Sequence, residues 1–547
     1  MRGGCYKGRI MSKSTVVELF GRLEQLNRIG AELSRERDIE RLLENILEAA
    51  KALTGADAGT LYSTTDDGGA LRFEIMRTDS LGIRQGGTTG QRVGLPDLPL
   101  RRADGTPNDQ LVAAYAAIHE RTVNIADVYD EAGFDFSGTR SFDQRTGYRS
   151  QSFLTVPMKN HEDAVIGVLQ LINAIDPESG RVVPFTREDQ SLTESLASQA
   201  AIALSNRLLI SQLETLFESF VKLINVAIDE KSPYTGGHCE RVPTLTMLLA
   251  EAADSTATGP LAHFRMSERD RYELQMAGLL HDCGKITTPV HVVDKATKLQ
   301  TIYDRIGLID TRFEVLKRDA EIAALRAQLA LRPVQDAGAE AAAQAALHSE
   351  LQGLEADREF LRQCNQGSEA MQQADQLRVR VIGTQRQWRN PEGLQTSFLS
   401  AEEMENLTIR SGTLTQAERD TINYHIVATI KMLETLPWPR HLRNVPEYAG
   451  GHHERMDGKG YPRGLTREQM SWQARMVGVA DVFEALTAAD RPYKRGMKLS
   501  QALGIMQKMA RTGHIDPDLF EVFVQGKVYQ RYAERFLDPE QIDDVRL

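Results

Sequence analysis

The run Leu279-Leu280-His281-Asp282-Cys283-Gly284-Lys285 sets an imidazole next to a carboxylate, with an ammonium three residues on. Adjacent His-Asp pairs are common by chance. This one gains weight from the residues of similar type that follow: His425, the pair His452-His453, and Asp481. Neutral imidazole nitrogen and carboxylate oxygen are the ligands expected for first-row divalent ions such as iron, manganese or zinc. A cluster of this kind without cysteine suits a catalytic centre better than a structural zinc site. Asp481 lies in the apolar segment Val477–Leu486, where a carboxylate is rarely buried unless paired or bound to a cation. His452 and His453 lie in Gly450–Gly464, a run of several glycines with Pro462. Adjacent histidines on such a constrained loop can aim their rings at different ions. His238, taken alone after Gly236-Gly237, reads as a surface or turn histidine.

Each of these side chains needs an element to hold it. Ser267-Glu-Arg-Asp270 is a capped helix start, and the helix runs through Tyr272, Met276, Leu279 and Leu280 to the His281-Asp282 pair. Thr415-Gln-Ala-Glu418 is a capping box. It opens a helix striped by Ile422, Ile426, Ile430 and Leu433, with His425 beside the stripe. Upstream, Leu209, Leu213, Leu216, Phe220 and Leu223 alternate spacings of four and three, as in a coiled-coil seam. They predict a connecting helix over 208–230, stopped by Pro233, and a parallel homodimer. Before it, residues 1–19 form a tail. Over 20–207, helical periodicity as far as Leu53 gives way to short β-type runs such as Leu71–Ile75, Ser152–Met158 and Ala164–Asn173. A helix bearing Leu192, Leu196, Ala200 and Ala203 then closes the region. The expectation is an antiparallel sheet flanked by helices, an α+β sensor domain.

Composition narrows the classes. A formal net charge of −11 argues against a broad nucleic-acid-binding surface. No apolar run reaches the roughly 18–20 residues that span a bilayer, and the N-terminus lacks the apolar core of a secretory signal. The four cysteines are scattered without a CxxC pair, which fits a reducing, cytoplasmic setting.

Two resemblances follow. Phe153-Leu-Thr-Val-Pro-Met158, Val165–Asn173, Phe185-x-x-x-Asp189 and Leu196–Asn206 resemble a GAF domain over about 20–207. Asn173, Phe185 and Asp189 are similar to the asparagine, phenylalanine and aspartate of cyclic-nucleotide-binding GAF domains, and Asp143-x-x-Thr146-Gly147-Tyr148 to another of their segments. The resemblance implies a cyclic nucleotide as ligand or, equally, residues that only close the fold. Ala174 in place of a lysine and Gln190 in place of a glutamate depart from the motif.

Further on, His281-Asp282-x-Gly284-Lys285, His452-His453-Glu454-x-x-Asp457-Gly458-x-Gly460-Tyr461-Pro462, and Ala480-Asp481-Val-Phe-Glu-Ala-Leu resemble the HD-GYP domain of the HD phosphohydrolases. Asp490-Arg491-Pro-Tyr493-Lys494 and Gly513-x-x-Asp516-Pro517 fit as well. The resemblance implies an all-α domain over 231–547 with His238, His281, Asp282, His425, His452, His453 and Asp481 as ligands of two divalent ions, iron or manganese, bridged by Asp282. It implies a cyclic di-GMP phosphodiesterase that yields pGpG, or GMP on further cleavage, using a hydroxide activated by the two metals and regulated by the GAF domain. Lys285 would stabilise charge or protonate the leaving oxygen, and Arg491, Lys494 and Tyr461 would contact substrate. Tyr234 stands where three-metal relatives carry glutamate, which favours two ions. Alternatives are the mixed cyclic GMP-AMP as substrate, another nucleotide, or an inactive adaptor that docks a signalling partner through Gly460-Tyr461-Pro462. One departure is large. An insertion at about 300–405 is helical over Phe313–Leu331 and Ala339–Leu377, with a break at Pro333–Gly338 and heptad-like Leu347, Leu351, Leu354 and Leu361. It predicts a helical hairpin, a solvated arm or a partner-docking one. Cys283 replaces an aliphatic residue beside a ligand, as buried packing or as an oxidation sensor.

Overall fold

In the first two hundred residues, strand-forming runs alternate with apolar helices. The computed structural model describes residues 13–232, 237–331, 337–367, 370–489 and 496–546 and divides at Phe217/Glu218 into two units. Pro233, Tyr234, Arg491 and Lys494 lie outside the described residues.

In the first unit, α1 (Lys13–Leu33) precedes α2 (Ile39–Thr54). Asp38 caps α2 by accepting from Arg41 N, and Gly55 in the left-handed region ends it. The strands are β1 (Ala56–Thr64), β2 (Ala70–Thr78), β3 (Ile83–Gly86), β4 (Leu98–Pro99), β5 (Val123–Ile125), β6 (Phe153–Lys159), β7 (Val165–Ile175) and β8 (Val182–Val183). They form one antiparallel sheet in the order β3-β2-β1-β7-β6-β5, with β4 beside β2 and β8 beside β7. Side chains alternate between its faces. One face, with Leu61, Leu154, Leu169 and Leu171, packs on Leu42, Ile46 and Leu47 of α2 and on Leu192, Leu196 and Ala200 of α5 (Arg187–Lys231). The opposite face, with Tyr62 and Val168, packs on Ala113, Ala116 and Ala117 of α3 (Val112–His119). A further helix, α4 (Ser137–Thr146), lies between β5 and β6 in the chain.

The closing helix of the sheet domain and the predicted connecting helix are one continuous element, the 45 residues of α5. Its Leu209, Leu213, Leu216, Phe220 and Leu223 are between 47% and 63% exposed.

In the second unit, α6 (His238–Asp254), α7 (Glu268–Leu280) and the short α8 (Val290–Val293) lead to the insertion. The hairpin consists of α9 (Ile306–Leu331) and α10 (Ala337–Asn365), and it has a folded root. The α10 helix stops at Asn365, short of the periodicity, because the Asn365 side chain turns to accept from Leu299 N and to donate to Asp304. Then come α11 (Gln373–Gln385), a hairpin of β9 (Gln387–Arg389) and β10 (Gln395–Ser397), and α12 (Ala401–Leu407). Phe313, Leu354, Leu361, Val379, Ile382 and Phe398 form a core of their own there. The unit is completed by α13 (Gln416–Glu434), α14 (Val445–Gly450), α15 (Trp472–Thr487), α16 (Leu499–Arg511), α17 (Pro517–Gln525) and α18 (Val528–Phe536). Among the described residues no helix is long and apolar enough to cross a membrane.

Candidate metal centre

The local elements form for the reasons the caps suggest. On α7, Ser267 Oγ accepts from Asp270 N while Asp270 answers at Ser267 N, a reciprocal capping box. Thr415 and Glu418 do the same on α13. At its C-terminal end α7 does not continue past His281. Cys283–Thr287 tightens into a 3₁₀ turn, in which residues three apart eclipse, and so Lys285 Nζ lies 2.5 Å from Asp282 Oδ2. Two glycines then permit close approach. A Cβ on Gly284 would lie 2.0 Å from His425 O and 2.5 Å from Thr429 N. Only hydrogen lets the 3₁₀ turn sit on α13, where Gly284 N donates to Thr429 Oγ1 at 2.9 Å. A Cβ on Gly478 would lie 2.9 Å from His452 O, so α15 and the His452-His453 segment meet by the same means. The loop after them is stapled by Glu454, buried, whose carboxylate accepts from Arg463 N at 2.7 Å and Leu465 N at 2.9 Å.

All seven expected ligands converge. Two groups form among the described residues: His238, His281 and Asp282, and His425, His452 and His453. Asp282 lies between them. Its Oδ2 is 3.0 Å from His238 Nε2 and 3.3 Å from His281 Nε2, and its Oδ1 is 3.3 Å from His425 Nε2 and 3.9 Å from His452 Nε2. Asp481 joins the first group, its Oδ1 3.5 Å from His238 Nε2. His238, read from sequence as a surface residue when taken alone, is buried at the first turn of α6.

The outer nitrogens are already committed. His281 Nδ1–H donates to Gly278 O at 2.7 Å, His425 Nδ1–H to Ile422 O at 2.5 Å, and His452 Nδ1–H to Ala449 O at 2.6 Å. His238 Nδ1–H donates to Glu484 Oε2 at 2.7 Å. In these tautomers His281, His425 and His452 turn the lone pair of Nε2 inward. There the Nε2 atoms crowd together, 3.3 Å between His238 and His281 and 3.1 Å between His425 and His453, beside the Asp282 carboxylate. Asp282 Oδ1 and His452 Nε2 are buried without a hydrogen-bond partner. Acceptors that converge on acceptors in a buried space are stabilised by a cation, and the N/O donor set fits first-row divalent ions.

The electrostatics agree. Burial works against the Asp282 charge, but Lys285 and His281 outweigh it and hold the carboxyl well below the usual carboxylate range. Burial, reinforced by His281, pushes His452 down to about 4, and burial with His452 and His425 lowers His453 as well. Both rings are neutral and their lone pairs available at neutral pH. At His238 burial favours the neutral ring, yet Glu484 and Asp282 lift it to about 9. The same pull favours a cation at that corner.

Tyr461 stacks on His453 with centroids 4.8 Å apart. It helps line a cavity of about 300 Å³ that reaches His452, His453 and Asp481 and includes Arg455, Lys459 and His514. The predicted substrate contacts Arg491 and Lys494 lie outside the described residues. Cys283 is buried and burial pushes its thiol up to about 11, which marks it as packing rather than as a reactive thiolate.

In the GAF-like unit the three predicted ligand contacts have partners within the fold. Asn173 Oδ1 accepts from Gln151 N at 2.7 Å and its Nδ2 donates to Arg149 O at 2.8 Å. Phe185 lies in the main core. Asp189 accepts from Thr186 N at 3.0 Å and pairs with Arg22 at 3.1 Å. These are the contacts of residues that close the fold.

Sequence reading overlooked Glu484 and Arg241. Glu484 is fully buried and its Oε1 accepts from Arg241 Nε at 2.9 Å and Nη2 at 2.6 Å. The available signal was spacing: Glu484 follows Asp481 by three residues, and Arg241 follows His238 by three.

Comparison with known proteins accords with this layout. A GAF domain model matches residues 38–204, and two HD domain models match residues 235–379 and 399–519. The chain joins a GAF domain to an HD domain. Among curated relatives, 3'3'-cGAMP-specific phosphodiesterase 1 of Vibrio cholerae is 46% identical over 90 residues, 16% of this chain and 20% of that protein. A cyclic di-GMP phosphodiesterase of Pseudomonas aeruginosa is 50% identical over 75 residues, 14% of this chain and 17% of that protein. A cyclic di-GMP phosphodiesterase response regulator of Xanthomonas campestris is 34% identical over 124 residues, 22% of this chain and 32% of that protein. The matches thus span less than a third of each of these three relatives. Among solved structures, the GAF domain of an Acinetobacter phosphoenolpyruvate-protein phosphotransferase matches at 16% identity and a TM-score of 0.26, over 35% of this chain and 98% of that one.

Proposed function

We propose that this chain is a metal-dependent phosphodiesterase of cyclic dinucleotides, of the HD-GYP type, that opens cyclic di-GMP to pGpG under control of its GAF domain. The observation that carries the reading is Asp282, placed between two imidazole clusters with one oxygen toward each. His238, His281, Asp282 and Asp481 would hold one divalent ion, and His425, His452, His453 and Asp282 the other, with iron or manganese the metals to test. Bound there, such ions supply Lewis acidity toward a phosphodiester and a nucleophile at neutral pH.

The chain's own residues do the rest. Lys285 Nζ donates to Asp282 Oδ2 and is one-fifth exposed, and from there it would protonate a leaving 3′ oxygen. Tyr461, held flat on His453, offers a face on which a base can stack. Arg455 and Lys459 bring positive charge to the same cavity, and Arg491 and Lys494 are proposed to pair with the second phosphate.

A mixed cyclic GMP-AMP substrate is the second reading, favoured because the Vibrio cholerae relative carries that specificity in its name. The experiment is to incubate iron- or manganese-loaded protein with each dinucleotide and to follow linear products by chromatography. Turnover of cyclic di-GMP that is lost in Asp282→Ala supports the proposal. No turnover of either substrate, with the variant indistinguishable from wild type, refutes it. For the GAF domain, thermal-shift titration with cAMP and cGMP tests a cyclic nucleotide as the regulator. We place the protein in the cytoplasm, as a homodimer through the α5 stripe.

A further inference from the structure

We infer that Glu484, anchored by Arg241, is a positioning residue that serves one of the two ligand corners and leaves the other untouched, so that the two ions are held by unequal means. The inference rests on the two-metal reading above.

Helix spacing brings the pair together. Arg241 lies one turn beyond His238 on α6, and Glu484 one turn beyond Asp481 on α15, so each ligand has its helper on its own face. The two faces meet. Glu484, wholly buried, accepts from His238 Nδ1–H at 2.7 Å with one oxygen and from the Arg241 fork with the other. A carboxylate on the outer nitrogen of a ligating imidazole fixes its tautomer and ring plane and raises its basicity. Here it also ties α6 to α15, and thereby sets the 3.5 Å between His238 Nε2 and Asp481 Oδ1.

At the other corner, His425 and His452 have no such carboxylate among the described residues. His425 and His452 are oriented by backbone carbonyls of their own segments, Ile422 O and Ala449 O. These carbonyls are neutral and do not depend on α6. Glu484 therefore tunes the His238–His281–Asp481 corner alone, and the chain can lose one ion while it keeps its neighbour.

The test is manganese titration of the full-length protein, with bound ions per chain counted by mass spectrometry and free manganese followed by paramagnetic resonance. Wild type is expected to bind two ions. Glu484→Gln is expected to weaken one of them about 10–100-fold and to leave the other as in wild type. Arg241→Gln leaves the carboxylate on His238, and is expected to keep both affinities within a few-fold while it lowers the melting temperature. Should Glu484→Gln fail to fold, Glu484→Asp carries the same test, since it retains the charge but draws it back from the ring.

The inference is overturned if wild type binds two ions and the Glu484 variant binds both as tightly, or loses both in parallel. It is also overturned if Arg241→Gln weakens the same ion as much as the Glu484 variant does. A wild type that binds fewer than two ions overturns the two-metal reading itself, and this inference with it.

Discussion

Replacement of Gly284 by alanine probes the contact that joins the two halves of the candidate centre. The added Cβ would sit 2.0 Å from His425 O, and ordinary contact begins at 3.4 Å. Either α13 or the 3₁₀ turn must therefore withdraw by about 1.4 Å. The two nearest atoms, His425 O and Thr429 N, are backbone, so rotation of a side chain cannot absorb the shift. Overpacking of this kind costs about 1–3 kcal/mol. Loss of the 2.9 Å bond from Gly284 N to Thr429 Oγ1 adds about 1 kcal/mol, for a total of about 2–4 kcal/mol. The functional effect is larger than the loss of stability suggests. His425 and Asp282 lie on opposite sides of this contact, 3.3 Å apart, and a displacement near 1 Å costs roughly 100-fold in rate. The expected result is a folded protein with a lower urea midpoint and a kcat/KM on cyclic di-GMP down by two orders of magnitude. Gly504→Ala, whose Cβ meets nothing within 4 Å, is the control, expected to be neutral or stabilising by about 0.5–1 kcal/mol. Wild-type turnover and midpoint in Gly284→Ala would refute the reasoning.

Three further outcomes are expected. Asp516 is fully buried between Arg467 and Arg475 at 2.8 and 2.6 Å and caps α17; Asp516→Asn should cost about 3–5 kcal/mol in urea unfolding at pH 7. Burial opposes its charge but the two arginines outweigh it, so its folded pKa is depressed. Its stabilisation is full above the ordinary value of 3.8 and is lost as pH falls through the folded value, so the variant should lose less stability than wild type over that interval. Leu213→Glu or Leu216→Glu on α5 should weaken self-association at least about tenfold, from about 1.5 kcal/mol or more per buried leucine; sedimentation unchanged by either, in a wild type that is dimeric, would remove the stripe as the interface. Excision of 318–349 with a short glycine-serine bridge leaves Phe313, Leu354 and Phe398 in their core. It should leave melting temperature and turnover near wild type, and loss of turnover with metal retained would assign the arm a catalytic part.

Much of the site was legible in the sequence because its parts obey local rules. Ser267 with Asp270, and Thr415 with Glu418, announce helix starts within four residues, and the structure builds both caps reciprocally. The ligand types, the glycine-rich His452-His453 loop and the α5 stripe are patterns of spacing and composition. His238 was legible only through resemblance, since nothing in its neighbours distinguishes a ligand from a turn histidine. The insertion was read as helical from its periodicity, but its folded root depends on Phe313 meeting Phe398, with ring centroids 4.5 Å apart, across a long separation in sequence.

By itself, then, the sequence determined that His281, Asp282, His425, His452, His453 and Asp481 are of ligand type and where the helices that carry His281 and His425 begin, since each helix start depends on residues within a turn or two. Tertiary structure alone decided that Asp282 divides its oxygens between two imidazole clusters, that Gly284 admits α13 against the 3₁₀ turn, and that Glu484 reaches His238. These are contacts between segments that only packing brings together, and the direction in which a lone pair points is settled by what holds the other side of its ring.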